Sequence, residues 1–191
     1  MIKALVFDCF GVLYTDNFEE VYESFGGDYR ADKELMMQIA FDMSKGTIPS
    51  AADAIADHLG VSPQEWTKRS KEGRVFNSEL LQYISSMRDE YKLAVLSNVS
   101  SEGLKGYMDV SVLEQHFDVI LESSKIGFAK PEARAYEIAA TELGVRLDEC
   151  IFIDDREHYL EGAAHVGMKT VLYTDVESCI AQIKDIIAVH Q

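Results

Sequence analysis

The sequence predicts an α/β protein: a doubly wound parallel sheet with an all-helical insert placed early in the chain. Three observations carry that prediction. Five runs rich in Val, Ile, Leu or Phe are too short to be helices, helical patterns separate them, and the alternation breaks once, over residues 15–77, where no strand-like run occurs. Short, continuously apolar runs read as strands buried on both faces, the condition of a parallel sheet. Strands that alternate with helices wind those helices over both faces of one sheet.

The first apolar run, residues 2–7, ends at Asp8. Amphipathic helical stretches follow over 17–25, 31–45, 50–59 and 63–72. Ser50 with Asp53 and Ser62 with Glu65 have capping-box spacing, the second with Pro63 at the first helical position. The alternation then resumes: helix 78–90, strand 93–96, helix 101–108, strand 119–121, helix 131–143, strand 150–153, helix 158–166, strand 170–173 and helix 176–189. Pro131 is expected as the first residue of its helix, and Gly144 as the left-handed residue that ends it. In the last helix Val176, Ile180, Ile183 and Ile187 share one face. An insert that begins straight after the first strand is expected over the carboxyl ends of the strands, where open α/β sheets bind ligands.

Composition narrows the function. Among 191 residues, 33 Asp and Glu against 18 Lys and Arg give a formal charge of −15. Phosphate backbones and anionic bilayers are bound by clustered Lys and Arg, so neither nucleic acid nor a membrane is an expected partner. Cys9, Cys150 and Cys179 have no metal-ligand spacing and are odd in number, which points to a reduced, cytoplasmic setting. No run of 18 apolar residues and no signal-type leader is present in the sequence.

Four polar clusters stand at the carboxyl end of a predicted strand or in the loop after one: Asp8, Ser97–Asn98, Lys130 and Asp154–Asp155. Three carboxylates converging on one sheet edge repel one another unless a cation joins them. Hard oxygen donors of this kind suit Mg²⁺, which keeps waters and takes a substrate phosphate. With the Lys130 ammonium and the Ser97 hydroxyl, the inventory fits phosphoryl transfer, where catalysis is positioning and charge stabilisation.

The chain resembles the haloacid dehalogenase (HAD) superfamily with a helical cap of the first type. The resemblance rests on four motifs in the family's order: Val6-Phe7-Asp8-Cys9-Phe10-Gly11-Val12-Leu13, Leu96-Ser97-Asn98, Ser124-Lys125-Ile126-Gly127-Phe128-Ala129-Lys130-Pro131 and Phe152-Ile153-Asp154-Asp155. It implies a Rossmann-like core from residues 1–14 and 78–191 and a helical cap domain from 15–77. It further implies that Asp8 is a nucleophile forming an aspartyl-phosphate, and that Ser97, Asn98 and Lys130 bind the phosphoryl group, with Lys130 steadying Asp8. Mg²⁺ would be held by Asp8, the main-chain carbonyl of Phe10 and Asp155, with Asp154 assisting directly or through water. The implied activity is hydrolysis of a small phosphorylated metabolite, sugar phosphates among the candidates.

Two departures from the family pattern matter. Phosphatases of the superfamily usually carry a second Asp two positions after the nucleophile, as general acid and base; Phe10 stands there and can transfer no proton. That assistance is typically worth about 10²–10⁴ in rate. The substitution leaves two alternatives beside a phosphatase: a 2-haloacid dehalogenase, whose halide leaves unprotonated, or a catalytically impaired binding or regulatory protein. The Asp154–Asp155 pair favours the phosphatase, because two such carboxylates have little purpose without a cation. The second departure is Tyr159, where many relatives have Asn. Arg156 and His158 read as solvated first-turn residues, and Cys9, Trp66 and the methionines of the insert as packing residues.

Overall fold

A computed structural model describes residues 1–190 other than 45, 46, 49 and 100. Its five strands are β1 (Ala4–Phe7), β2 (Lys92–Ser97), β3 (Val119–Glu122), β4 (Cys150–Asp154) and β5 (Lys169–Leu172). They form one parallel sheet in the order β3-β2-β1-β4-β5. The chain runs outward from β1 to β3, then returns to the other side of β1 for β4 and β5. The direction of winding therefore reverses beside β1, and the crevice this creates lies at the carboxyl ends of β1 and β4.

Strand side chains alternate between two cores, as the two-residue period requires. Leu5, Phe7, Val95 and Ile153 face α5 (Ser78–Met87) and α10 (Val176–Val189). Val6, Leu96 and Phe152 face α8 (Ala133–Leu143) and α9 (Glu157–His165). Gly144, at φ 69°, ends α8 in the left-handed conformation the sequence predicts.

The insert contains α1 (Phe18–Ser24), α2 (Lys33–Ser44), α3 (Ala51–Leu59) and α4 (Pro63–Lys71) around its own apolar cluster of Val21, Tyr22, Ile55 and Trp66. The predicted helix 31–45 ends on Lys45, which lies outside the described residues. Both predicted N-caps form: the hydroxyls of Ser50 and Ser62 accept from the amides of Asp53 and Glu65 at 3.1 Å. The two strands of chain that enter and leave the insert lie side by side, with Thr15 N–H donating to Val75 O (2.9 Å) and Asn77 N–H to Leu13 O (2.8 Å).

Two local expectations are corrected, and two short helices are added. Pro131 is not the first helical residue: it occupies a turn after a cis Lys130–Pro131 bond, and α8 starts at Ala133 with Glu132 as N-cap. The Glu132 carboxylate accepts from the Ala129 amide (2.8 Å), closing a turn for which proline is equally suited. Of the helix expected over 101–108, only a single tight turn, Leu104–Gly106, forms. Gly103 (φ 67°) breaks it, and the buried Glu122 carboxylate takes the Leu104 amide at 2.9 Å. The short helices α6 (Ser111–His116) and α7 (Ser123–Ile126) were not anticipated, because four to six residues carry too little periodicity. Among the described residues no helix is long and apolar enough to cross a membrane.

Candidate active site

The sheet edge assembles the four polar clusters. Asp8 follows β1, and its N–H donates to Ile153 O (2.8 Å), pinning it beside Asp154 at the end of β4. Ser97 ends β2, and Lys130 arrives on the loop between α7 and α8. The Lys130 ammonium bonds Asp8 Oδ1 and Asp154 Oδ2, each at 2.7 Å, with all three side chains buried. The rings of Tyr159 (4.9 Å) and Phe152 (5.3 Å) flank the same ammonium. Tyr159 thus gives Lys130 a cation–π contact.

Asn98 clasps Lys130 rather than facing open space. Its Nδ2 donates to Lys130 O and its Oδ1 accepts from Lys130 N, both at 2.9 Å. A side chain with both ends committed positions Lys130, and leaves only the main chain of Asn98 for an anion.

The two neighbouring acids are used differently. Both oxygens of Asp154 are taken, Oδ2 by Lys130 and Oδ1 by the Arg156 amide (2.9 Å). Asp155 Oδ1, by contrast, is buried without a hydrogen-bond partner, and Arg156 Nε stands 4.0 Å away. The Ser97 hydroxyl is also buried and partnerless. A buried polar atom left unpaired costs about 1–3 kcal/mol, so two on one sheet edge mark a place that a ligand completes. Oxygen atoms from Asp8, Asp154 and Asp155 lie within 4.8 Å of one another. Three carboxylates facing one ammonium leave an excess of negative charge that a divalent cation fits in size, charge and donor type.

Burial raises the proton affinity of all three acids. Asp8 is pushed up to about 6 by burial, with Lys130 opposing and Asp154 adding to the shift. Asp154 and Asp155 are likewise raised, chiefly by burial. For Lys130, burial alone would lower the affinity, but Asp8 and Asp154 outweigh it and hold the ammonium well above its ordinary range.

Gly11 makes the approach of the β1 loop to Asp155 possible. Its φ is 85°, and a Cβ there would lie 2.8 Å from Asp155 Cγ. Gly11→Ala is therefore expected to displace the Asp155 carboxylate and to destabilise the protein by about 1–3 kcal/mol. Thermal melts with and without Mg²⁺ check both effects; an unchanged melting temperature and an unchanged metal response would show that the loop tolerates the side chain.

Asp8, Lys130 and Asn98 open into a cavity of about 200 Å³ that helices of the insert share. Two readings of side chains change here, and two residues join the site. Met36, Met37 and Met43 line this cavity, Met36 serving the insert's core as well. Arg156 stays partly solvated yet also lines the cavity: its Nη2 is 3.7 Å from Asp16 Oδ2 and its Nε 4.0 Å from Asp155 Oδ1. Arg74 and Tyr107, not singled out in the sequence, also line it. The Arg74 guanidinium lies 5.4 Å over the Phe10 ring and donates to Asn17 Oδ1 (2.8 Å) and Asp16 Oδ1 (3.3 Å). Nothing in the spacing of residues 16, 74 and 156 signals that they meet. A wider cleft, about 750 Å³, borders the cavity and shares Phe18, Met43, Ile55 and Tyr107 with it.

Comparison with known proteins shows the family and the fold. A family model described as haloacid dehalogenase-like hydrolase matches residues 18–173. A phosphatase of Mycobacterium tuberculosis is 39% identical over 82 residues, 42% of this chain and 38% of that protein. An (S)-2-haloacid dehalogenase of Burkholderia cepacia is 33% identical over 81 residues, 42% of this chain and 35% of that protein. Each match thus spans well under two thirds of the relative's length. Among solved structures, a HAD family enzyme of Bacteroides thetaiotaomicron in complex with magnesium and inorganic phosphate superimposes with a TM-score of 0.70 at 24% identity, covering 91% of this chain and 95% of that one.

Proposed function

The chain belongs to the haloacid dehalogenase-like hydrolases, and from that premise we propose that it is a Mg²⁺-dependent phosphatase of small phosphomonoesters that works through an aspartyl-phosphate on Asp8. One observation carries the reading: the buried Asp8 and Asp154 carboxylates share one ammonium, and the adjoining Asp155, its oxygens within 4.8 Å of theirs, keeps a buried oxygen with no partner. A dehalogenase needs no such acidic pair. Residues 15–77 then act as the cap domain over a core of 1–14 and 78–191. The three buried free thiols, Cys9, Cys150 and Cys179, support a cytoplasmic setting.

In this reading one Asp8 oxygen attacks phosphorus and the bond to the leaving oxygen breaks. Lys130 keeps Asp8 ionised and aimed; an ammonium has three donors, and the one not spent on Asp8 and Asp154 serves a phosphoryl oxygen. The Ser97 hydroxyl gives that group a second donor. Asp8, the Phe10 main-chain carbonyl and Asp155, with Asp154 assisting directly or through water, would hold Mg²⁺, which would supply charge to offset that on the phosphoryl oxygens. Asn98 keeps the Lys130 main chain in place through both steps. Water then attacks the acyl phosphate, returning Asp8 and releasing inorganic phosphate.

Phe10 gives no proton to the leaving oxygen, so kcat/KM is expected to fall steeply as leaving-group pKa rises across a series of phosphomonoesters. Phe10→Asp should flatten that slope. The gain is expected near the low end of general-acid assistance, about 10²-fold, because Arg74 over this position would hold the new carboxyl ionised. A flat slope in the unmodified enzyme would show that another group donates the proton. The reading as a whole is tested by phosphate release from a panel of phosphomonoesters with Mg²⁺, beside 2-chloropropionate. Halide release without phosphate release would overturn it.

A further inference from the structure

Resting on the phosphatase reading, we propose that the site takes aryl phosphates, in which the leaving group is a phenol, in preference to sugar and alkyl phosphates. The wall that α2 and α3 present to the cavity is made of Met36, Met37, Ile39, Ala40, Met43 and Ile55, which offer no hydrogen-bonding side-chain group. Thioethers adapt to an aromatic surface and make favourable contacts with ring edges. The lining is also aromatic: Phe10 and Tyr107 meet edge to face at 5.3 Å, and Phe18 and Tyr29, packed with the insert's own core, also reach the cavity. Such surroundings suit a flat ring stacked or set edge-on among them.

Of the basic side chains lining the cavity, Lys130 is bonded to Asp8 and Asp154 and Arg74 to Asp16 and Asn17, which leaves Arg156, 3.7 Å from Asp16, as one side chain against the several hydroxyls of a sugar. A sugar body would carry several hydroxyls into this space, and each one buried without a partner costs about tenfold or more in binding. A nucleoside would bring the same ribose hydroxyls. An apolar alkyl body would fit the wall but fail at the chemistry, because its alkoxide needs the proton that Phe10 lacks. A phenolate meets both requirements. The bond from phosphorus to the aryl oxygen breaks as the bond from phosphorus to Asp8 forms, and the phenolate leaves with the electron pair and takes its proton from solvent. The bordering cleft of about 750 Å³ gives a substituent on the ring somewhere to extend.

The test compares phenyl phosphate, cyclohexyl phosphate and glucose 1-phosphate at one Mg²⁺ concentration. It is paired with binding of phenylphosphonate and methylphosphonate, which have no leaving oxygen and report the wall without turnover. Phenyl phosphate is expected to exceed both other substrates by about 100-fold in kcat/KM. Phenylphosphonate is expected to bind about tenfold or more tighter than methylphosphonate, the advantage lost in Met37→Gln and kept in Met37→Leu; Met37 is half-exposed, so neither change threatens the fold. Glucose 1-phosphate or cyclohexyl phosphate turned over as well as phenyl phosphate would overturn the aryl preference and leave the phosphatase reading standing. Equal binding of the two phosphonates would overturn it too. No phosphate release from any substrate would overturn the phosphatase reading and, with it, this one.

Discussion

Asp8→Asn is expected to lower phosphatase turnover by at least about 10⁴-fold while leaving the protein folded. The magnitude follows from the role: a carboxamide cannot form the acyl phosphate, and loss of a catalytic nucleophile costs on that order or more. The fold survives for an electrostatic reason. Lys130 keeps its 2.7 Å partner in Asp154, so the substitution strands no buried ammonium. Asp8 in the folded protein holds its proton up to about pH 6 rather than near 4, because burial disfavours its charge. A carboxyl whose affinity is raised by folding removes stability as pH climbs through that interval, since the folded state would keep the proton that it must give up. Removing the charge removes that cost together with part of the support Asp8 gives the Lys130 ammonium, so the melting temperature of Asp8→Asn at pH 7 without metal is expected to stay close to that of the unmodified protein. Initial rates with p-nitrophenyl phosphate and a thermal melt check both halves. Turnover within tenfold of the unmodified enzyme would put the nucleophile elsewhere.

Mg²⁺ is expected to raise the melting temperature, and Asp155→Asn to abolish both that rise and the activity. At a metal concentration about 100 times Kd, a ligand bound only by the folded state adds about 2.7 kcal/mol. For a chain of this length that is a shift of roughly 5–10 °C. The effect is assigned to Asp155 because its Oδ1 has no hydrogen-bond partner, whereas both oxygens of Asp154 already hold Lys130 and the Arg156 amide. Asp154→Asn should therefore act differently: it loosens Lys130 and weakens the fold, while a metal-induced shift persists in reduced form. A full Mg²⁺ shift in Asp155→Asn would exclude that carboxylate from the metal's ligands.

The bonded pairs of this site explain why its parts were legible in the sequence and its arrangement was not. Asp8, Ser97 and Asp154 each stand at or just after a strand end, and strands are announced by short apolar runs whose periodicity involves only near neighbours; Lys130 follows β3 with the short α7 between them. The Ser50 and Ser62 caps and the Gly144 stop are equally local, and all three form where expected. Expectations failed where the partner is distant. The helix over 101–108 yields to a hydrogen bond from Leu104 to Glu122, and Pro131 goes to a turn instead of α8. The methionines of α2 read as core because helical spacing tells that a face is apolar, not what it faces.

By itself, then, the sequence determined the alternating elements, the break occupied by helices, and the set of side chains able to carry phosphoryl chemistry, because each depends on residues a few positions apart. Tertiary structure alone decided how that set is divided: Asp154 and Asn98 hold Lys130, and Asp155 is left with an unsatisfied oxygen. It also decided that Asp16, Arg74 and Arg156 meet beside Phe10 under an apolar wall. These contacts join residues tens of positions apart through strand register and the seating of the insert, and packing of that kind leaves no periodic trace along the chain.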